Sequence, residues 1–181
     1  MTDLLPWQRI RNWLRTNAPR TFEQISAPED AIGRWRLAGA PDLYPTMFTP
    51  LSAREAVREQ ARLRHDVYPE LDRDPAGTMS SAFLKEFVPI AASGTGDYLF
   101  VDGRPGPESG CVREWCRDDG NLGSTLWQSV HDMLADVAHS LETGEPALRG
   151  HVEAARARFA RVAVYVPEVR DGLLSWQSVR D

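Results

Sequence analysis

The chain has 181 residues and a mass of 20.3 kDa, with 42% hydrophobic and 26% charged residues and a formal charge of -5 from 21 basic against 26 acidic side chains. That length suits one domain with a substantial core, and the composition excludes wholesale disorder. Apolar runs such as Val162 to Val166 fall far short of the ~20 residues needed to span a bilayer, and the acidic balance disfavours a general nucleic-acid binder, which needs positive surface to displace counterions.

From Met1 to Arg20 the chain interleaves Arg9, Arg11, Arg15 and Arg20 with Trp7, Ile10, Trp13 and Leu14, without the unbroken apolar stretch of a signal peptide, which predicts a cytoplasmic protein. The same spacing predicts a first helix, with Pro6 at an early position and Pro19 beyond its end. Between Thr21 and Pro50 a short helix is expected over Asp30 to Leu37, followed by a stretch punctuated by Gly39, Pro41, Pro45 and Pro50. Ser52 and Glu55 form a capping box that starts a second helix, running to about Asp66. Its arginines, Arg54, Arg58, Arg62 and Arg64, read as a solvated face, and a polar loop follows over His65 to Ser81.

Phe87 to Ala91, Tyr98 to Val101 and Cys111 to Cys116 read as strands, and the short turns between them predict an antiparallel meander. Leu126, Val130, Met133, Leu134, Val137 and Leu141 then form one stripe of a helix from about Ser124 to Thr143, which Gly144 closes and which covers one face of the sheet. In the tail, Val152, Ala155, Phe159 and Val162 keep a helical period while Val162, Val164 and Val166 alternate, so a helix followed by a strand is expected. Asp171-Gly172 then supplies a tight hairpin turn before Leu173 to Trp176. The fold class is α+β, an antiparallel mixed sheet packed against helices. One domain covers 1–181, its core approximately 7–144, with 145–181 as a C-terminal helix and hairpin extension.

No catalytic constellation emerges. Gly94-Thr95-Gly96 lacks the third glycine and the strand-to-helix setting of a phosphate loop, and a hairpin turn accounts for it. His65, His131, His139 and His151 have no metal-ligand spacing. Cys111 and Cys116 suit neither a CxxC pair nor a zinc site, and an odd separation along a strand sends them to opposite faces, so free thiols are expected. No G-x-S-x-G occurs, Ser109 and Ser124 fall at turn or cap positions, and the pairs Asp72/Asp74 and Asp118/Asp119 read as solvated loop acids. Catalytic, cofactor and metal residues are therefore all read as none.

Phe87-Val88-Pro89-Ile90-Ala91, Gly94-Thr95-Gly96-Asp97 with Asp102, and Gly110-Cys111-Val112-Arg113-Glu114-Trp115 together resemble the centre of the SUKH superfamily, of the Smi/Knr type. The family pattern is an F-x-P-I/L-A strand, a G-x-G-D-x-x-x-x-D hairpin and a G-x-V-x-x-W/H strand, then a helix near a segment that Ser124 to Trp127 matches in place. Trp7 to Leu14 and Pro50 to Ala56 are similar to its first helix and its L-S-x-x-E-A segment, whereas Ile32 to Gly39 departs from what usually stands between them. Residue chemistry alone makes Gly94, Gly96, Asp97 and Asp102 structural, with Asp97 accepting backbone N–H groups in its turn and Asp102 capping the next loop, and the resemblance adds Pro89 and Trp115 as structural motif residues.

The resemblance implies a non-enzymatic interaction domain. Bacterial members are typically immunity proteins that neutralise a cognate toxin by binding it, and fungal relatives regulate cell-wall assembly through protein contacts. The expected partner is a cognate toxin or another protein, a basic one suiting the net charge, with no nucleic acid and no membrane, and the acidic residues Glu108, Glu114, Asp118 and Asp119 are the expected contact surface. Competing expectations are a housekeeping scaffold with an endogenous partner and a small-molecule hydrolase, which requires carboxylates and histidines converging in a pocket.

Overall fold

The computed structural model describes residues 4–27, 30–64, 74–118, 120, 124–151 and 163–180. Helix α1 (Pro6–Asn17) starts with Pro6, where a helical N–H has no acceptor in any case, and buries Ile10 and Leu14 completely, with Trp7 and Trp13 at the margin of the same core. Pro19, expected beyond the end of that helix, opens a second one, α2 (Pro19–Glu23), because proline at the first helical position starts a helix as readily as it stops one. The helix expected over Asp30 to Leu37 reduces to the 3₁₀ helix Gly33–Leu37.

Helix α3 (Ala53–Leu63) carries the expected capping box. The Glu55 N–H donates to Ser52 Oγ at 3.3 Å and the Ser52 N–H donates to Glu55 Oε2 at 2.7 Å. It ends at Leu63, short of Asp66. The opening of the loop expected over His65 to Ser81 lies outside the described residues, while 74–81 is irregular as expected.

The fold is α+β. A four-stranded antiparallel meander runs in the order β1 (Thr49–Pro50), β2 (Phe87–Ala92), β3 (Tyr98–Asp102) and β4 (Val112–Trp115). The last three are the expected strands, and β1 is an addition too short to carry a periodicity. Pro89 lies at a bulge, where the register with β3 shifts between Pro89 and Ala91. Its ring costs no strand pairing: β1 reaches only Ala91 and Ala92, and alongside the start of β2 the amide of Gln60 from α3 donates to the carbonyls of Lys85 and Phe87 at 2.8 and 3.0 Å.

Alternation along the strands sorts the interior into two compartments. Ile90, Ala91, Leu99 and Val112 face Ile10, Leu14, Met133, Val137 and Leu141 of the helices. On the other face Tyr98, Phe100 and Trp115 join Phe83, Leu84 and Phe87. The Phe83 ring stands edge-on to Phe87 and Trp115 at 5.5 and 5.3 Å between centroids, the offset geometry that aromatic quadrupoles favour.

Helix α4 (Val130–Thr143) begins later than its apolar stripe suggests. Ser129 caps it, its Oγ accepting from the Asp132 N–H at 3.1 Å, and Gly144 closes it in the left-handed conformation as expected. The stretch assigned to its first turns lies along the edge of β4, where Val112 donates to Trp127 O at 2.8 Å and Leu126 donates to Val112 O at 2.9 Å. An edge strand's unmet backbone groups outweigh helix propensity there.

Strands β5 (Ala163–Arg170) and β6 (Leu173–Arg180) form the hairpin, with Asp171 and Gly172 at φ 50° and 75°, the paired positive values of a tight two-residue turn. The helix expected before it lies outside the described residues. Described residues beyond 144 also enter the core: Ala147, Leu148, Val164, Leu174 and Trp176 belong to the main cluster, and Trp176 Nε1 donates to Asp42 O at 3.0 Å. No helix among the described residues is long and apolar enough to cross a membrane. Ser52→Ala removes the α3 cap and is expected to lower stability by about 1 kcal/mol in urea denaturation, with the m-value unchanged.

Candidate functional site

Asp102, the last residue of β3, points into the aromatic side of the sheet and has no exposed surface. Arg104 grips it with two donors, Nε to Oδ1 at 3.0 Å and Nη2 to Oδ2 at 2.8 Å, and the Gly77 N–H reaches Oδ2 at 3.1 Å. Arg113 of β4 lies 3.6 Å from Oδ2, and Arg104 and Arg113 are 0% and 1% exposed. Both guanidiniums also donate to the Thr78 carbonyl, and Arg104 lies over the Phe87 ring at 5.0 Å. Burial works to raise the Asp102 pKa, but the hydrogen bonds from Arg104 and Gly77 outweigh it and the net shift is downward. Asp102 thus does more than cap a loop; it is the anion of a buried ionic node. The pKa of Arg113 is lowered, chiefly by burial, which the attraction of Asp102 opposes.

Asp97 closes the Ser93–Asp97 turn from outside. Its Oδ2 accepts from the Thr95 hydroxyl and its Oδ1 accepts from the Arg117 N–H at 3.0 Å, so the backbone donor comes from the end of β4 and not from within the turn. These bonds hold its pKa below the ordinary aspartate value. Of the two turn glycines, Gly96 takes φ +95°, which disfavours a side chain, whereas a Cβ on Gly94 would meet open space.

Of the four acidic residues expected as a contact surface, the three described are divided between the two ends of β4. Glu108, before β4, turns inward: it accepts from the Thr125 hydroxyl and packs so closely on Gly77 that a Cβ there would lie 2.6 Å from its carboxyl carbon. At the other end of β4, Glu114 is half-buried and Asp118 exposed, on the same end of the sheet as Asp97. Burial raises the Glu114 pKa, and the charge on Asp97 adds to it. Asp119 lies outside the described residues. The α3 arginines divide: Arg62 and Arg58 pair with Glu59, and Arg62 and Glu59 both hold the Tyr98 hydroxyl, at 2.6 and 3.0 Å, which locks the helix to β3.

Cys111 and Cys116 are free thiols. His139 contacts Glu145 at 2.7 Å, and Ser124 Oγ lies 3.3 Å from His151 Nδ1 at the surface, with no carboxylate on that imidazole among the described residues. No three His, Cys, Asp or Glu side chains among the described residues converge as a metal centre would require. What sequence reasoning missed is the pair of buried arginines, although Arg113 stands two residues from Trp115 and therefore on the same face of β4. Compared with family models and with curated proteins, the chain matches none of either.

Asp102→Asn leaves two buried guanidiniums without their anion and is expected to cost about 3–5 kcal/mol in chemical denaturation. An independent readout is the pH dependence of the unaltered protein. Because the folded pKa values of Asp97 and Asp102 lie below the ordinary 3.8, their contribution is fully present above that pH and is lost as pH falls through the depressed values, so the denaturation midpoint should drop on acidification below 3.8.

Proposed function

We propose that the chain is a SUKH-type, non-enzymatic protein-binding domain acting as an immunity-type protein, which neutralises a cognate bacterial toxin by direct binding in the cytoplasm. The observation that carries this reading is the use made of the two aspartates of the hairpin pattern. Asp97 and Asp102 are held ionised by internal donors and fix the ends of β3 and β4, which is the chemistry of a scaffold and not of a proton-transfer site.

Among the described residues the Asp97 end of that scaffold carries three acidic side chains and one arginine, Arg117, whose charge acts on Asp97. Glu114 and Asp118 join Asp97 there, and Glu114 is a half-buried carboxylate whose pKa is raised by its surroundings. A basic partner relieves that strain by supplying a counter-charge, and the net charge of -5 steers such a partner in. The same charge opposes a nucleic acid as the ligand. Glu108, spent on Thr125, contributes to loop structure and not to the contact.

Co-expression with the toxin encoded beside the gene should protect cells, and titration calorimetry should show a stable complex. Glu114→Lys with Asp118→Lys should weaken that complex by about tenfold or more and flatten its salt dependence. Affinity should also rise as pH increases through the range in which Glu114 ionises, since a paired carboxylate binds its proton less tightly than the free one. Absence of any complex with the neighbouring toxin, together with an endogenous protein held at the same acidic end, would transfer the reading to a housekeeping scaffold.

A further inference from the structure

Arg34 is a partly buried cation without a carboxylate partner among the described residues, as Arg11 and Arg36 are, and differs from those two in having a buried donor with no acceptor. Arg9 is matched by Glu142, and Arg104 and Arg113 share Asp102. Arg34, on the 3₁₀ helix, is half-buried with its guanidinium stacked 4.2 Å from the centroid of the Trp35 ring, and its Nε is buried without a hydrogen-bond acceptor. It has no ion-pair partner among the described residues. Tyr44, the ionisable neighbour that attracts it, is itself fully buried with its pKa raised, so at neutral pH it is a phenol and supplies no counter-charge. A desolvated cation with an unmet donor is costly to keep, and a carboxylate brought to its guanidinium from outside would supply the missing counter-charge.

Trp35, on which Arg34 stacks, lines a recess of about 230 Å³ together with Asp30, Ala31, Ile32, Ser52 and Ala53. That volume lies below the roughly 300–1,000 Å³ of small-molecule sites and suits an aliphatic side chain. Ile32 at its rim is 72% exposed, and Val57, one turn on from Ala53 along the same side of α3, is 68% exposed. Exposed aliphatics around a concavity, with tryptophan and a stacked arginine adjoining, are the composition of an interface core.

We infer that this recess docks a segment of another protein that carries an aliphatic side chain next to a carboxylate, the aliphatic group lodged against Ile32, Trp35 and Ala53 and the carboxylate paired with Arg34. The apolar rim offers nothing to a sugar-phosphate backbone. The surface goes beyond the acidic contact proposed above: it adjoins β1, at the opposite edge of the sheet from β4, and its chemistry stands whatever binds at Glu114.

Panning a phage-displayed random dodecapeptide library on the intact protein tests this, with fluorescence anisotropy of the enriched peptides as the readout. The enriched peptides should place Asp or Glu within a residue or two of Leu, Ile or Met. Their affinity should fall by about tenfold or more with Arg34→Gln, which removes the charge, and with Ala53→Trp, which fills the recess from an exposed helix position. The pair Glu114→Lys and Asp118→Lys should leave it unchanged, which separates this surface from the toxin-binding reading. Failure to enrich any binder overturns the inference. So do peptides without acidic residues, indifference to both substitutions, displacement of the peptides by an oligouridylate, or a dimer in sedimentation that Arg34→Gln converts to monomer.

Discussion

A carboxylate removed from water must be surrounded by donors or give up its charge. Asp102 keeps its charge, and the donors it recruits belong to three separate stretches of chain: Gly77 in the loop after α3, Arg104 just beyond β3, and Arg113 on β4. Satisfying one anion therefore fixes a loop, a strand end and a sheet register together. Arg104 also rests on Phe87, so the ionic node and the aromatic cluster are one packing unit and neither can loosen alone. Two guanidiniums exceed one carboxylate in charge, and Glu108, drawn inward near Arg113, offsets part of the excess.

The sheet divides two interiors of different character. Toward α1 and α4 it is aliphatic and tolerant of shape, and a helix pair closed by Arg9 and Glu142 lies over it. Toward α3 it is aromatic and ionic, with directional contacts that specify geometry more than they add burial. Turns and strand ends meet on this second side, so the residues that hold the pattern Gly96, Asp97, Asp102 and Trp115 in place are the same ones that leave Glu114 and Asp118 at the margin.

Local periodicity was enough to read β2, β3, β4, the hairpin turn and the capped start of α3, because each depends on neighbours in sequence. It failed where a distant group decided the outcome. Leu126 carries the helical stripe, yet the open edge of β4 draws it into a strand-like pairing with Val112. Pro19 looks like a stop until α2 is seen to begin on it. Arg104 and Arg113 pass for surface charge because arginine is abundant throughout the chain, and only the position of Asp102 in space shows that they are interior. The acidic set was legible in composition but not in grouping: Glu108 precedes β4, and Glu114 lies near the far end of that strand.

The hairpin turn has one more implication. Gly172 O accepts from the N–H groups of Arg20 and Thr21, the Leu174 N–H donates to Thr21 Oγ1, and Leu174 and Trp176 complete the aliphatic core that Ile10 and Leu14 begin. Partners some 153 residues apart in sequence must therefore meet before that core is complete. On the ribosome, where residues emerge in order, α1 can pack on α4 before β6 is made, but α2 cannot meet its hairpin partners until then. Joining Thr21 to Leu174 thus closes a long loop, a non-local contact of the kind that slows folding.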